Sequence, residues 1–388
     1  MNLQGSSCEN IGSISQNTAN RINVVSSVSS KSNNSTAFTI KEVNNVIYPT
    51  RRNTRYNPYN NTYMQKQQLK KKKYHQMRIE NGQRDYDDNW VGDDINAIKK
   101  SKSIRFWTQN VNGLVYKNNL QEFQLDMALM ADQGVNYYAM TEVCVNTNKQ
   151  GYNQQIKEAF TQVLTNGHIS VHNSPKYPSD SHYQPGGVAA GFDNILRNNF
   201  IKEDRDKYGR WIWQEFGDNN NITRIYTIYR VINGNVENSE NCTAWKQQRV
   251  LLEENNEKIL NPRVHVIDTL IADVRPIIDK GHNVIIMGDF NESIKSPEGL
   301  SEKMNNIGLY NLMSHKIGNT NLPRTFIRGK DAIDHVWMTC YLADQTIFAG
   351  FAPFDTNYMS DHRGIYFDVP KSILFPTTNQ KIISHKFR

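Results

Sequence analysis

The pattern of apolar and polar positions divides this chain near residue 103. From there, "SIRFWTQN" (103–110) alternates as a strand does, and "NNLQEFQLDMALMADQG" spaces Leu120, Phe123, Met127 and Met130 as a helix and closes on Gly134. "VNYYAM" reads as a second strand, "GGVAAGF" as a glycine-led third, and "RWIWQEF" and "TRIYTIYRV" as further β-rich runs. A long helical stretch follows: "TAWKQQRVLLEENNEKIL", a break at Asn261-Pro262, then "RVHVIDTLIADVRPIIDKG". In "NVIIMGDFNES", Val284, Ile285, Ile286 and Met287 form an unbroken apolar run, the pattern of a strand buried on both faces. "AIDHVWMT" and "GIYFDV" supply two last strands. Strands interleaved with helices predict one mixed α/β domain over residues 103–370, without a visible internal repeat.

Residues 1–102 follow neither period. "SSVSSKSNNST" and "RRNTRYNPYNNTY" are Ser/Asn-rich and too polar to bury a core, so this region is expected to be a disordered, basic tail, with a short second tail over 371–388. Charge sharpens the division. Of the net +7, residues 1–100 hold all: 15 Lys+Arg against 8 Asp+Glu, leaving 30 of each in the remainder. A partner attracted by net charge alone is therefore held by the tail, not the body. Within it, "KQQLKKKKYHQMR" carries the run Lys70, Lys71, Lys72 and Lys73, which suits a solvated charge run, a nuclear-import signal or a nonspecific phosphate-binding arm. An acidic patch, "DYDDNWVGDD" (85–94), precedes the body.

Hydrophobic residues make up 38% of the 388, and mean hydropathy is −0.68. No run approaches the ~20 apolar residues of a membrane span, and the N-terminus lacks the basic-then-apolar start of a secretory signal. Cys8, Cys144, Cys242 and Cys340 show no metal-ligand spacing and no disulfide framework. They read as buried thiols of an intracellular protein, with the nucleus suggested by the basic run.

The chemistry sits where strands end. "SIRFWTQN" runs into Asn110, "VNYYAM" into Glu142, and "NVIIMG" into Asp289 and Asn291. Asp334 lies inside an otherwise apolar strand, and Asp361 and His362 stand just before the last one. Each has a plain alternative: Gly288, Asp289 and Asn291 suit a turn, Glu142 a solvated strand end, His362 a satisfied core histidine. Asp334 resists one, because a carboxylate between Ile333 and Val336 is costly without a partner. His335 beside it points to the opposite face and reads as structural. If the strand ends converge, the set suits metal-assisted attack on a phosphate ester. Mg²⁺ prefers oxygen ligands, a second carboxylate can activate water, and an Asp-held histidine can meet developing phosphoryl charge.

Taken in order, "QNVNGL", "MTEV", "GDFN", "IDHVW" and "SDHR" resemble the motifs of the endonuclease/exonuclease/phosphatase family. The resemblance spans about 103–370 and implies a four-layered sandwich of two packed mixed β-sheets with helices on the outer faces. It implies Glu142 as the main Mg²⁺ ligand, with Mn²⁺ able to substitute, Asn110 beside it and Asp361 as an additional metal or phosphate-side residue. It also implies Asp289 as the water-activating residue, Asn291 as its positioning partner, Asp334 and His362 as a dyad, and Tyr229 as a phosphate contact. At Tyr229 the chain departs from the family, which often continues with a small residue and proline where Arg230, Val231 and Ile232 follow. "QNVNGL", "RTFIRGKDAIDHVWMT" and "SDHRG" resemble in style the endonuclease modules of non-LTR retroelements.

The expected function is a Mg²⁺-dependent endonuclease acting on DNA, with Lys70–Lys73 as nucleic-acid contacts. A phosphatase for a lipid or small phosphate ester uses the same site, and a degenerate nucleic-acid binder is the third reading.

Overall fold

The computed structural model describes residues 89–376 apart from 96–98, 115–119, 176–181, 219–220, 234–242, 298, 355 and 359. The run Lys70–Lys73 and nearly all of the expected tails lie outside the described residues, as do Cys8 and Cys242. Cys144 is buried, whereas Cys340 is only half-buried.

Two mixed sheets carry the fold. The seven-stranded sheet orders its strands β1 (Val91–Gly92), β12 (Phe348–Phe351), β13 (Ile365–Pro370), β2 (Ser103–Asn110), β3 (Tyr137–Thr141), β5 (Val188–Phe192) and β4 (His168–His172). The six-stranded sheet orders β10 (Leu309–Asn311), β11 (Asp334–Thr339), β9 (Asn283–Asp289), β8 (Ile222–Tyr229), β7 (Trp211–Gly217) and β6 (Phe200–Arg205). Each sheet has one parallel pair at its centre, β2 with β3 and β8 with β9; every other pairing is antiparallel. A parallel pair needs a crossover. Helix α1 (Leu120–Asp132) supplies it in the first sheet, and α4 (Thr243–Glu254) with α5 (Pro262–Asp279) in the second.

Alternation along the strands builds four layers. Ile104, Phe106, Tyr137, Ala139, Val188 and Ala190 of one sheet meet Ile212, Ile225, Ile285, Met287, Val336 and Met338 of the other in a shared core. On the outer face of the first sheet, Trp107, Tyr138 and Met140 pack against Phe123, Met127 and Met130 of α1 and Ile156 and Phe160 of α2 (Tyr152–Val163). On the outer face of the second, Tyr226, Ile228, Val284, Ile286 and Trp337 pack against Val266, Ile267, Leu270 and Val274 of α5. The run Val284–Met287 is unbroken because its residues alternate between two apolar cores.

Three features differ from the sequence expectation. Asn261-Pro262 starts a helix rather than merely breaking one. Asn261 caps α5, accepting from Arg263 N at 2.9 Å and Val264 N at 3.4 Å, and Pro262 sits where a missing N–H costs nothing. The packed body also begins before residue 103: Val91–Gly92 adds an edge strand, Trp90 meets the ring of Tyr366 at 5.6 Å, and Ile95 is buried. Within the acidic patch, Asp93 accepts from Ala349 N at 2.9 Å, so part of that patch is strand-end scaffolding. Finally, α9 (Lys371–Leu374) continues the body past residue 370, burying Leu374 in the inter-sheet core.

Candidate active site

The strand directions bring the polar ends together. β2 and β3 run parallel to Asn110 and Thr141, and β8 and β9 run parallel to Tyr229 and Asp289. Carboxyl ends of parallel strands are where α/β sheets open their crevices. β11 returns antiparallel with Asp334 directly opposite Asp289, and β13 returns antiparallel beside β2 just after His362. Gly288 lets the sheets close at this point: a Cβ there would collide with Ile228 O and lie 3.0 Å from Thr141 Cγ2 of the other sheet.

Asn110 joins the sheets. Its Nδ2 donates to Glu142 Oε2 and to Asp289 Oδ2, each at 2.8 Å, while its Oδ1 accepts from Asn112 N at 3.0 Å. The amide therefore bridges two carboxylates and turns its own oxygen to the backbone. Asn291 holds Asp289 from the other side, donating from N to Oδ1 at 2.8 Å and from Nδ2 to Oδ2 at 3.2 Å. Its Nδ2 also donates to Arg230 O at 2.8 Å.

His362 Nδ1 lies 2.8 Å from Asp334 Oδ2. The dyad is fixed by its backbone: Gln109 Nε2 donates to His362 O at 2.9 Å, His362 N to Ser360 Oγ at 3.1 Å, and Ser360 Oγ to Asn110 O at 2.5 Å. Thr325 Oγ1 accepts from Asp334 N at 3.1 Å, and the Phe326 ring lies 5.0 Å from that of His362. Asp334 Oδ1, by contrast, is buried without a partner. Single ligand atoms of Asp289, Asp334 and His362 lie within 4.8 Å of one another, and all three residues are buried.

The electrostatics follow from this crowding. Burial, then the Asp334 charge, push the Asp289 carboxyl well above its ordinary range, against the pull of His362 and Asn110. Burial raises Glu142 as well, with Asp361 and Asp334 adding to it and Asn110 and His362 opposing. Burial alone would neutralise His362, but the Asp334 carboxylate, followed by Asp289 and Asp361, holds the imidazole in its charged form. Burial, then Glu142 and Asp289, keep the Tyr229 phenol far above its ordinary value, so it remains an O–H donor.

Of the sequence candidates, Asn110, Glu142, Asp289, Asn291, Asp334 and His362 stand in one network, and Tyr229 is buried at the end of β8 beside Asp289 in register. Asp361 stands to one side, near Asn112 Nδ2 (3.4 Å) and Arg328 Nη2 (3.7 Å). His335 is scaffolding: its Nε2 meets Glu292 O at 2.8 Å and its Nδ1 meets Asn311 Nδ2 at 3.3 Å. Sequence reasoning passed over Gln109, Thr325, Ser360 and Arg210. Ser360 and Thr325 lay within motif strings already singled out, but only the fold shows what they hold.

No family model matches this sequence, and no curated protein matches it. Among solved structures the chain is similar to the AP endonuclease LMAP from Leishmania major, at 12% identity over 74% of this chain and 94% of that one, with a TM-score of 0.51. The APE2 catalytic domain of Xenopus laevis (13% identity, 69% and 92% covered, TM-score 0.47) is also similar. So is an endonuclease/exonuclease/phosphatase family protein from Leptotrichia buccalis (16%, 69% and 99%, TM-score 0.43). The likeness to the Leishmania major AP endonuclease is one of fold and runs through most of both chains. Likeness at this identity defines the fold; activity has to be argued from the site.

Proposed function

We propose that this protein is a Mg²⁺-dependent phosphodiesterase that nicks DNA. The observation that carries this reading is the convergence of Asn110, Glu142, Asp289 and Asn291 with the Asp334–His362 dyad at one rim of the two sheets. The likeness to the Leishmania AP endonuclease supports a nuclease rather than an unrelated use of the fold.

The residues fit a hard divalent cation. Carboxylates crowd the rim, Glu142 and Asp289 are both pushed toward neutrality, and Asp334 Oδ1 is buried and unpartnered. This is a site short of positive charge and supplied with oxygen donors. Glu142 would hold the ion, which when bound offsets charge on the phosphoryl oxygens. Asp289, steadied by Asn110 and Asn291, orients a water and takes its proton; its raised pKa suits a base working near neutrality. His362, charged by Asp334, donates toward a phosphoryl oxygen, and the Tyr229 phenol donates from the β8 end.

Purified chain incubated with supercoiled plasmid and Mg²⁺ or Mn²⁺, beside an EDTA control and Asp289→Ala, tests the reading. Nicking that requires both metal and Asp289 is the expected result. Release of phosphate from small esters or lipids with DNA untouched would replace it by a phosphatase, and tight DNA binding without cleavage under any metal by a binding protein. The basic run Lys70–Lys73 is proposed to add phosphate contacts. Deleting residues 1–88 is then expected to reduce the salt slope of DNA binding by up to ~4; an unchanged slope leaves the run as a nuclear-import signal or a solvated face.

A further inference from the structure

Arg210 precedes β7 and has no solvent exposure. Four other buried arginines meet carboxylates: Arg105 pairs with Asp368 at 2.7 Å, Arg224 with Glu215 at 2.5 Å, Arg263 with Glu292 at 3.6 Å, and Arg230 with Glu292, while Arg363 donates to the Asn89 and Ala352 carbonyls. Arg210 meets none among the described residues. Its one guanidinium hydrogen bond runs from Nη2 to Ala244 O at 3.3 Å, and its Nε and Nη1 are buried without partners. A buried unpaired cation costs several kcal/mol, so a fold that keeps one needs a reason outside stability.

Its surroundings supply that reason. Arg210 O accepts from Tyr229 N at 2.8 Å, and the guanidinium carbon lies 5.9 Å from the centre of the Tyr229 ring. The charged and titratable groups acting on it are Tyr229, Asp206, Glu142 and Cys144. Asp206 is already engaged, its Oδ1 accepting from Arg210 N at 2.7 Å and from Trp211 N at 3.0 Å. The backbone opposite is shaped to admit the side chain. Gly186 has a φ of +76°, and a Cβ there would collide with Arg210 Nη1 and lie 3.2 Å from Tyr229 Cε1. Gly186, the first of the two glycines that open "GGVAAGF", thus serves the packing of Arg210 and Tyr229, whereas Gly187 lies against Asn173 and His172. Gly186 O in turn accepts from Cys144 N at 2.9 Å, tying the same contact to the loop that carries Glu142.

We infer that Arg210 is a positioning residue for the phosphodiester reaction: set over the Tyr229 ring, it holds the phenol at the rim and polarises its O–H toward a phosphoryl oxygen. Its nitrogens are sealed from solvent, so it acts through Tyr229 and not by touching substrate. A cation against an aromatic face is favourable, and more so where water is excluded. This role rests on the phosphodiesterase reading.

A double-mutant cycle on the full chain tests it, with Arg210→Met, Tyr229→Phe and the pair assayed on a labelled DNA duplex with Mg²⁺. Each single change is expected to lower kcat by roughly 10–100-fold with KM nearly unchanged, and the double variant to fall little below the more severe single. Losses that multiply would overturn the role, as would an unaltered kcat in folded Arg210→Met. If Arg210→Met does not fold, Arg210→Lys closes the cycle, keeping charge but not the guanidinium over the ring, with the same non-additivity expected and full multiplicativity overturning it. A wild-type chain that cleaves no phosphoester overturns the function reading and this role together; an active wild type with multiplicative losses overturns this role alone.

Discussion

Two carboxylate–histidine clusters lie between the same two sheets, and they are built to opposite ends. At the β4–β6 edge, Glu203 Oε2 meets His168 Nε2 at 2.9 Å and Gln214 Nε2 at 2.9 Å, while Ser170 Oγ donates to Oε1. At the rim, Asp334 meets His362 at 2.8 Å with its second oxygen left bare, and Asp289 faces Asp334 across the register. Burial opposes the Glu203 charge, but three donors outweigh it and hold the carboxyl at about 2. Asp289 goes the other way, because burial and a like charge act together. Donors do not separate the two, since Asp289 also accepts three hydrogen bonds; the like charge that faces it does.

The largest expected difference is in activity. Asp334→Asn removes the charge that keeps His362 protonated, and cleavage is expected to fall ~10³-fold or more. Glu203→Gln, which alters a partly exposed contact with a histidine, is expected to leave cleavage within about threefold. Steady-state rates on one DNA substrate compare the two. Equal losses would erase the distinction between the clusters.

Stability is expected to divide differently. The Arg105–Asp368 pair is bidentate at 2.7 and 2.9 Å with both side chains 2% exposed, and it ties β2 to β13 far from the rim. Removing one partner strands a buried charge, so Asp368→Ala is expected to cost about 3–5 kcal/mol in urea unfolding. Rate constants measured where the variant is folded should not change. A loss below about 1 kcal/mol would mean that water reaches the pair.

The Glu203 cluster gives a pH signature. A carboxyl held near 2 in the folded state, against an ordinary 4.5, contributes stability that is complete above the unfolded value. That contribution is lost as pH falls from about 4.5 toward about 2. Wild type and Glu203→Gln are therefore expected to differ by about 1–2 kcal/mol at neutral pH, after discounting for partial exposure. The gap should close on acidification through that window. A gap constant from pH 7 to pH 3 would show that the charge of Glu203 is not what stabilises the edge.

What the sequence disclosed follows the same physics. Central strands were legible because both faces are buried: "SIRFWTQN" and "NVIIMGD" announce themselves by apolar content, and each ends in a polar residue that no core would choose. The strands passed over are mostly edges. β6, "FIKEDR", has four charged residues in six and is largely exposed, and β4, β10 and β1 are short strands at sheet margins, where polar residues discourage further pairing. Site residues that project a carboxylate or imidazole were visible as types. Arg210 was not, because "YGRW" carries no sign that its arginine is sealed and unpaired. Nor does composition distinguish Glu142 from any solvated strand-end glutamate.

Backbone conformation does distinguish it, and this leads to the smallest expected effect. Glu142 has a φ of +52°, in the left-handed region that L side chains occupy at a cost of about 1–2 kcal/mol. Asn112 (+47°) and Asn291 (+49°), both bonded to the site, share that conformation, but asparagine tolerates it and glutamate does not. The strain and the raised pKa of Glu142 coincide at a residue whose carboxylate, among the described residues, takes one hydrogen bond, from Asn110, beside the opposing charge of His362. Glu142→Gly relieves both and gives up that bond and some backbone entropy. Without metal, the variant is expected to equal or exceed wild type in unfolding free energy by up to about 1 kcal/mol while losing metal-dependent cleavage. Unfolding in EDTA-treated buffer measures the first half. A variant clearly less stable than wild type would show that Glu142 is held in place for the fold, and would move the burden of metal binding to Asp289 and Asp334.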